Sequence, residues 1–321
     1  MTDSLLQLSN LTVQYVVQKR IRNAVDNLTL DIPSQRYTLG VVGESGSGKT
    51  TLGLSIMNLV KAPGKIVQGE ILYKNESVLS MHEDELRKYR WQEVSMVFQS
   101  AMNSLNPVKT ALDHLTEVLR EHHRRVSKQD AREKAYALLS EVGIPHDRAS
   151  AYSHELSGGM RQRVVIAMAL ALSPKLLIAD EPTSALDVVV QQQILALLRK
   201  EVLEKQLSMI FITHEITLLE DLVDFVAVMY AGEVVELGPL DKVLFEPEHP
   251  YTEMLLNSLL TLDSEKKSMK ANIRSGDSFV IPQVGCRFAS RCKYVFDRCR
   301  SERPLLKETE KGRMVACHKF N

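Results

Sequence analysis

The sequence predicts an α/β protein in which a parallel sheet delivers a phosphate-binding loop. Two stretches carry that expectation. In "LGVVGESGSGKTT" an apolar run, Tyr37 to Val42, leads straight into a glycine-rich turn, Gly43 to Gly48, which opens a helical pattern with Leu52, Ile56 and Leu59 on one face. In "KLLIADEPTSALD" the apolar run Leu176 to Ala179 ends in Asp180 and Glu181, as a buried parallel strand does when it presents acids at its carboxyl end.

The first stretch is a strand, a loop and a helix, and its spacing is that of a P-loop. Glycines at 43, 46 and 48, with Ser45 and Ser47 between them, let successive backbone N–H groups turn inward around phosphates, and the helix N-terminus adds partial positive charge. Lys49 reaches the outer phosphates. Thr50 offers a hydroxyl to Mg²⁺, and Thr51 continues the first helical turn. In the second stretch Asp180 is placed to hold Mg²⁺ through water, and Glu181 to orient or deprotonate an attacking water. Taken alone, an acidic pair that ends a strand is common; beside a P-loop it points to hydrolysis. These elements predict a nucleotide- and Mg²⁺-binding chain.

Length and composition narrow the rest. The 321 residues suffice for two domains or for one large domain with an appendage. Forty basic residues balance forty acidic ones, so no chain-wide field draws in nucleic acid or an anionic membrane, and any anion must be bound locally. The N-terminal "MTDSLLQLSNLTV" lacks a basic n-region and a continuous apolar segment, and no apolar run approaches the length that spans a bilayer. The expectation is a cytosolic chain with reduced thiols.

A third landmark is "LSGGMRQR", residues 156–163. A serine hydroxyl followed by two unhindered backbone N–H groups at a helix start makes a second anion site, which a single nucleotide does not need. Together with the P-loop and "LLIADEPTSALD", this stretch resembles the signature of ABC-transporter ATPases. The resemblance implies an ABC-type P-loop NTPase domain, in which Ser157, Gly158 and Gly159 cap the γ-phosphate of ATP held by a second subunit. It further implies that Gln99 in "MVFQSAMNSLNP" senses Mg²⁺ and the attacking water. His214 in "FITHE" would contact the γ-phosphate, and Asp187 would communicate across the dimer. An aromatic in the position of Tyr15, in "LTVQYVV", is implied to stack on adenine, although a tyrosine in such an alternating segment also suits a plain strand. The basic "QKRIR" after it reads as a solvated hairpin tip.

Organisation follows from these landmarks. The nucleotide-binding domain is expected over residues 1–250, with a helical subdomain at about 99–165. In that insert "QDAREKAYALLSEVGI" places Ala131, Ala135, Leu138, Leu139 and Val142 on one apolar stripe, which reads as core. Gln99 joins core to insert, so the groove at "SAMNSLNPV" is expected to receive a cytoplasmic helix of a membrane partner. Residues 251–321 read as a small cysteine-rich extension, entered through the polar linker "DSEKKSMKANIRSGDS".

The extension sharpens the resemblance. "GPLDKVLFEPEHPYTEMLLNSLL" followed by four cysteines, with "SLNP" after Gln99, resembles the ATPase subunits of oligopeptide and dipeptide ABC transporters, and "LSGGMRQRVVIAMAL" is more similar to their D-type than to their F-type subunit. The resemblance implies an F-type partner ATPase, two transmembrane permeases, an extracytoplasmic peptide-binding protein and a place at the cytoplasmic face of the membrane. Relatives that import nickel complexes, exporter ATPases and soluble ABC ATPases of translation or DNA repair are the alternatives. The single cassette and the "HPYT" tail speak against the last two.

All four cysteines lie in this tail, at Cys286, Cys292, Cys299 and Cys317. Four thiolates suit tetrahedral Zn²⁺ or a [4Fe–4S] cluster. The intervals of five, six and seventeen residues lack the close pairs of structural zinc sites and also depart from the common ferredoxin runs. The family resemblance implies the [4Fe–4S] cluster, with zinc as the alternative. Their distance along the chain from every ATP residue assigns the thiols a structural role, holding the tail in a fixed shape.

Overall fold

Short runs that are apolar at nearly every position pair in parallel at the centre of the molecule. The computed structural model describes residues 4–18, 20–99, 104–122, 126–260, 281–309 and 312–320. In chain order its strands are β1 (Ser4–Val17), β2 (Arg20–Pro33), β3 (Thr38–Val42), β4 (Gly64–Tyr73), β5 (Glu76–Ser77), β6 (Val94–Val97), β7 (Leu176–Asp180), β8 (Ser208–Thr213), β9 (Phe225–Tyr230), β10 (Glu233–Pro239), β11 (Lys307–Glu308) and β12 (Met314–Val315). Its helices are α1 (Lys49–Ile56), α2 (Glu83–Lys88), α3 (Ala111–His122), α4 (Lys128–Glu141), α5 (Gly158–Leu170), α6 (Val188–Glu204), α7 (Leu240–Phe245), α8 (Pro250–Leu260) and α9 (Asp297–Ser301).

The larger sheet runs β11-β12-β10-β9-β3-β8-β7-β6, and the five strands from β9 to β6 are parallel. Every residue of β3, β6, β7 and β8 is buried, as expected where both faces of a parallel sheet are covered. Side chains alternate between two cores. Leu39, Val41, Leu176, Ile178, Ile210 and Ile212 face the smaller antiparallel sheet, β2-β1-β4-β5, together with Leu52 and Ile56 of α1. Val42, Leu177, Ala179, Met209 and Phe211 face α3 to α6. Each Val, Leu, Ile, Met or Phe side chain among these contributes about 1.5–3 kcal/mol when removed from water.

Between β6 and β7 the chain is helical, and Ala131, Ala135, Leu138 and Leu139 of α4, with Val142 beyond it, are buried against α3 and α5. The helix after the P-loop is shorter than its apolar spacing predicts. It closes at Ile56, because Asn58 takes φ +49° and the Leu59 N–H reaches back to the Leu54 carbonyl at 2.8 Å while the Asn58 N–H meets Ser55 O at 2.9 Å. Asparagine tolerates this left-handed turn, so Leu59 packs against the core from outside the helix.

The C-terminal residues do not stand apart from the sheet. β12 pairs with the β10 edge and β11 pairs with β12. Tyr251 of α8 is fully buried in the core on the helical side of the sheet. The predicted polar linker at 263–278 lies outside the described residues. No described helix is long and apolar enough to cross a membrane.

Candidate active site

Four neighbouring parallel strands each release one piece of the site at the carboxyl edge of the sheet. β3 opens into the P-loop, β8 ends one residue before His214, β7 ends in Asp180 and Glu181, and β6 ends two residues before Gln99. The strand order therefore gathers segments that are far apart in sequence.

Backbone geometry shapes the loop. Gly43 takes φ +154°, and a Cβ there would lie 2.1 Å from Met229 O; Gly48 takes φ +106°, and a Cβ would lie 2.0 Å from Ala24 O. Only glycine fits both places. The loop rests on neighbouring backbone, with Gly232 N–H donating to Ser47 O at 2.8 Å. Lys49 is buried and its Nζ donates to Gly43 O (2.7 Å) and Glu44 O (3.0 Å). Burial lowers its pKa, while Glu181, Asp180 and Glu44 oppose that shift.

The loop opens into a cavity of about 460 Å³. Ser45, Gly46, Gly48, Lys49, Thr50 and Thr51 line it, and so do Tyr15, Gln99, Glu181 and His214. Gly43 and Ser47 lie behind the lining, with the Ser47 hydroxyl buried and unpartnered. The Glu181 carboxylate sits between two side chains: Gln99 Nε2 donates to Oε2 at 3.0 Å, and His214 Nδ1 lies 3.1 Å from Oε1. Glu181 itself takes φ +45°, a conformation that costs a non-glycine residue about 1 kcal/mol or more. Its N–H bonds Ile212 O at 2.9 Å, and its carbonyl accepts from Ser184 N–H at 3.1 Å and Ser184 Oγ at 2.9 Å, which fixes the turn.

Asp180 is fully buried behind Glu181. Thr50 Oγ1 donates to its Oδ1 at 3.2 Å, and its Oδ2 has no hydrogen-bond partner. Burial, reinforced by the Glu181 charge and opposed by the Thr50 hydrogen bond, pushes its pKa up to about 6. An unpartnered buried carboxylate oxygen beside a threonine hydroxyl fits a cation, whose charge would bring that pKa back down. Among the described residues no group of three or more His, Cys, Asp or Glu side chains could hold a metal ion. Mg²⁺ needs only one or two protein carboxylates and completes its octahedron with water and phosphate oxygens. Gln99, expected beside the cation, is bonded to Glu181 here.

Ser157, Gly158, Gly159 and Asp187 do not line this cavity. Ser157 is exposed and N-caps α5, its Oγ accepting from Met160 N–H at 3.2 Å. Asp187 N-caps α6 through Val190 N–H at 3.0 Å. A Cβ on Gly159 would meet Val190 Cγ1 at 2.5 Å, so glycine there lets α5 and α6 approach. Residues 100–103, expected to begin the docking groove, lie outside the described residues.

The sequence reading missed Arg22. The stretch "QKRIR" is exposed at residues 20–22, as a solvated tip should be, and Arg22 also pairs with Tyr15 across the β1–β2 ladder, lines the cavity and comes within 3.5 Å of Gly46 O. The signal lay in register: a residue directly opposite Tyr15 shares its neighbourhood.

The four cysteines, well separated along the chain, come together at one place. All four thiols are reduced and line one cavity of about 20 Å³, room for one water, with Phe288 and Phe296. They do not, however, form a group close enough to hold a metal ion among the described residues. Burial in this largely apolar pocket pushes the Cys286 thiol up to about 11 and raises Cys292 and Cys317. Their donor chemistry still suits a soft metal.

A P-loop, a buried aspartate with one unpartnered oxygen and a glutamate clamped at the mouth of the same cavity define a P-loop nucleotide-hydrolysing protein. Residues 25–184 match the family described as ABC transporter, and residues 235–299 match the C-terminal region of oligopeptide/dipeptide transporters. The chain is 43% identical over 98% of its length, and 96% of the relative's, to the oligopeptide transport ATP-binding protein AppD of Bacillus subtilis. It is 39% identical over 98% of its length, and 96% of the relative's, to the dipeptide transport ATP-binding protein DppD of Escherichia coli. Among solved structures, the dimeric bacterial ABC transporter cassette MJ0796 covers 73% of this chain and 98% of its own, at 31% identity and a TM-score of 0.65. The same cassette, bound to ADP and phosphate after hydrolysis, aligns with a TM-score of 0.63. The chain belongs to the family of oligopeptide and dipeptide transport ATP-binding proteins, and its fold is that of an ABC-type ATPase.

Proposed function

We propose that this chain hydrolyses ATP to drive import of di- or oligopeptides, docked peripherally on two permeases at the cytoplasmic face of the membrane and supplied by an extracytoplasmic binding protein. The observation that carries the catalytic part is the Glu181 carboxylate held between Gln99 and His214 over the P-loop. In this reading Lys49 and the loop N–H groups bind the phosphates, Thr50 and Asp180 hold Mg²⁺, and Tyr15 stacks on adenine. Glu181 holds the attacking water and accepts its proton, Gln99 and His214 orienting the carboxylate. The peptide cargo is supported by likeness to AppD and DppD over nearly the whole chain.

Ser157, Gly158 and Gly159 sit at the exposed N-terminus of α5, outside the chain's own cavity, which supports their acting on a nucleotide held by a second subunit, with Asp187 beside them in that interface. An F-type homologue is the partner we assign. Steady-state phosphate release is therefore expected to be low for the isolated chain and to rise with added partner subunit. High turnover that is independent of concentration in the isolated chain contradicts the shared site.

We further propose that the cavity between Cys286, Cys292, Cys299 and Cys317 takes a [4Fe–4S] cluster, with zinc as the alternative, its binding drawing the thiols together as thiolates. Convergence of four sulfur donors on one cavity supports this. Anaerobic purification followed by metal and sulfide analysis is expected to return about four iron and four sulfide per chain. A colourless protein with one zinc overturns the cluster and leaves the ATP site untouched.

A further inference from the structure

The P-loop is gripped from outside by the cysteine-bearing segment. Glu44, the second residue of the loop, receives two hydrogen bonds from one guanidinium: Arg291 NH1 to Oε2 at 2.8 Å and Arg291 NH2 to Oε1 at 2.7 Å. The Glu44 backbone N–H donates to the Tyr251 hydroxyl at 2.9 Å. The Glu44 carbonyl accepts from Lys49 Nζ, so one residue joins the segment to the lysine of the loop. Arg291 is itself fixed, lying over the rings of Tyr230 and Phe288 with most of its surface covered. Tyr251 packs against the same two rings.

A second grip lies one turn away. Arg287 donates to the Ala231 carbonyl and pairs with Asp26, which Arg303 also holds at 2.7 Å. The next residue after Ala231, Gly232, donates its N–H to Ser47 O of the loop and accepts from the Asp26 N–H. Arg287 follows Cys286 and Arg291 precedes Cys292, so the backbone that places these thiols also places both guanidiniums. Remote in sequence, the cysteine segment is in direct contact with the nucleotide loop.

We infer that the C-terminal segment positions the P-loop for nucleotide, with Arg291 as the principal positioning residue acting through Glu44 and Tyr251 supporting the same turn. A phosphate loop binds tightly only when its N–H groups are already turned inward, and a bidentate charge-assisted pair at its second residue removes the freedom that binding would otherwise have to freeze. The inference rests on the assignment of this cavity to ATP.

The test is equilibrium binding of Mg·ATP, and KM against kcat for its hydrolysis, in the full chain with its partner subunits. Arg291→Ala is expected to raise Kd and KM by roughly five- to tenfold and to leave kcat at saturating ATP within about twofold. Arg291→Lys, which keeps the charge and loses the fork, is expected to recover only part of the affinity. Glu44→Gln combined with Arg291→Ala should weaken binding no more than either change alone, because both break one link. Tyr251→Phe, which removes a single hydroxyl from a filled site, guards against loss of folding and is expected to raise Kd by about threefold. Unchanged Kd in Arg291→Ala and Tyr251→Phe, with wild-type binding abolished by Lys49→Ala, overturns the inference alone. Unchanged binding in Lys49→Ala as well removes the ATP assignment on which it rests. A fall in kcat with constant KM would mean the segment only maintains the fold, and overturns the positioning role.

Discussion

Replacing Glu181 with glutamine is expected to leave Mg·ATP binding intact while slowing turnover by on the order of a hundredfold or more. The geometry makes the substitution clean. Gln99 Nε2 donates to one carboxylate oxygen, and a glutamine carbonyl accepts that bond equally well. At the other oxygen, His214 Nδ1 can present its lone pair to the new amide, since imidazole exists as either tautomer. The side chain therefore keeps its place over the P-loop and loses only the basicity that takes a proton from water. Phosphate release measured beside nucleotide binding, with partner subunits present, checks this; near-normal turnover would show that another group is the base.

Lys49→Ala is expected to act on binding. Its ammonium is buried, tied to two loop carbonyls, and flanked by Asp180, Glu181 and Glu44. Without it a polyphosphate would meet Asp180 and Glu181 with no fixed cation between them, the Glu44 carboxylate being held by Arg291, and the Gly43 and Glu44 carbonyls would lose their donor. Affinity for Mg·ATP should fall on the order of tenfold to a hundredfold, a penalty set by leaving charge uncompensated in a partly desolvated site. Calorimetric titration reads the loss directly, and an unchanged Tm of the nucleotide-free chain would show that it is local.

The features written in short stretches of sequence were legible. The P-loop, the acids after Ala179 and the apolar runs that became β3 and β7 each depend on neighbours within a few residues, so spacing suffices to find them. Ser157 and Asp187 show a second layer that spacing also contains: each stands three residues before the N–H it caps, and each was read only for its role toward a partner. Contacts made by folding were harder. Arg22 belongs to the site through strand register, and a charged residue near a hairpin tip carries no mark of what lies opposite. Arg291 and Glu44 are 247 positions apart, and nothing local to either announces the other. Distance along the chain sets the cysteines apart from ATP, whereas β12 and α8 fold their segment back onto the loop.

The central claim is that one cavity, built at the ends of four parallel strands, binds Mg·ATP through the P-loop and hydrolyses it through Glu181. Its most direct test is a side-by-side equilibrium titration of wild type, Glu181→Gln and Lys49→Ala with Mg·ATP. The account predicts that wild type and Glu181→Gln share one dissociation constant while Lys49→Ala binds far more weakly. Equal binding by all three, or loss of binding in Glu181→Gln, would contradict it.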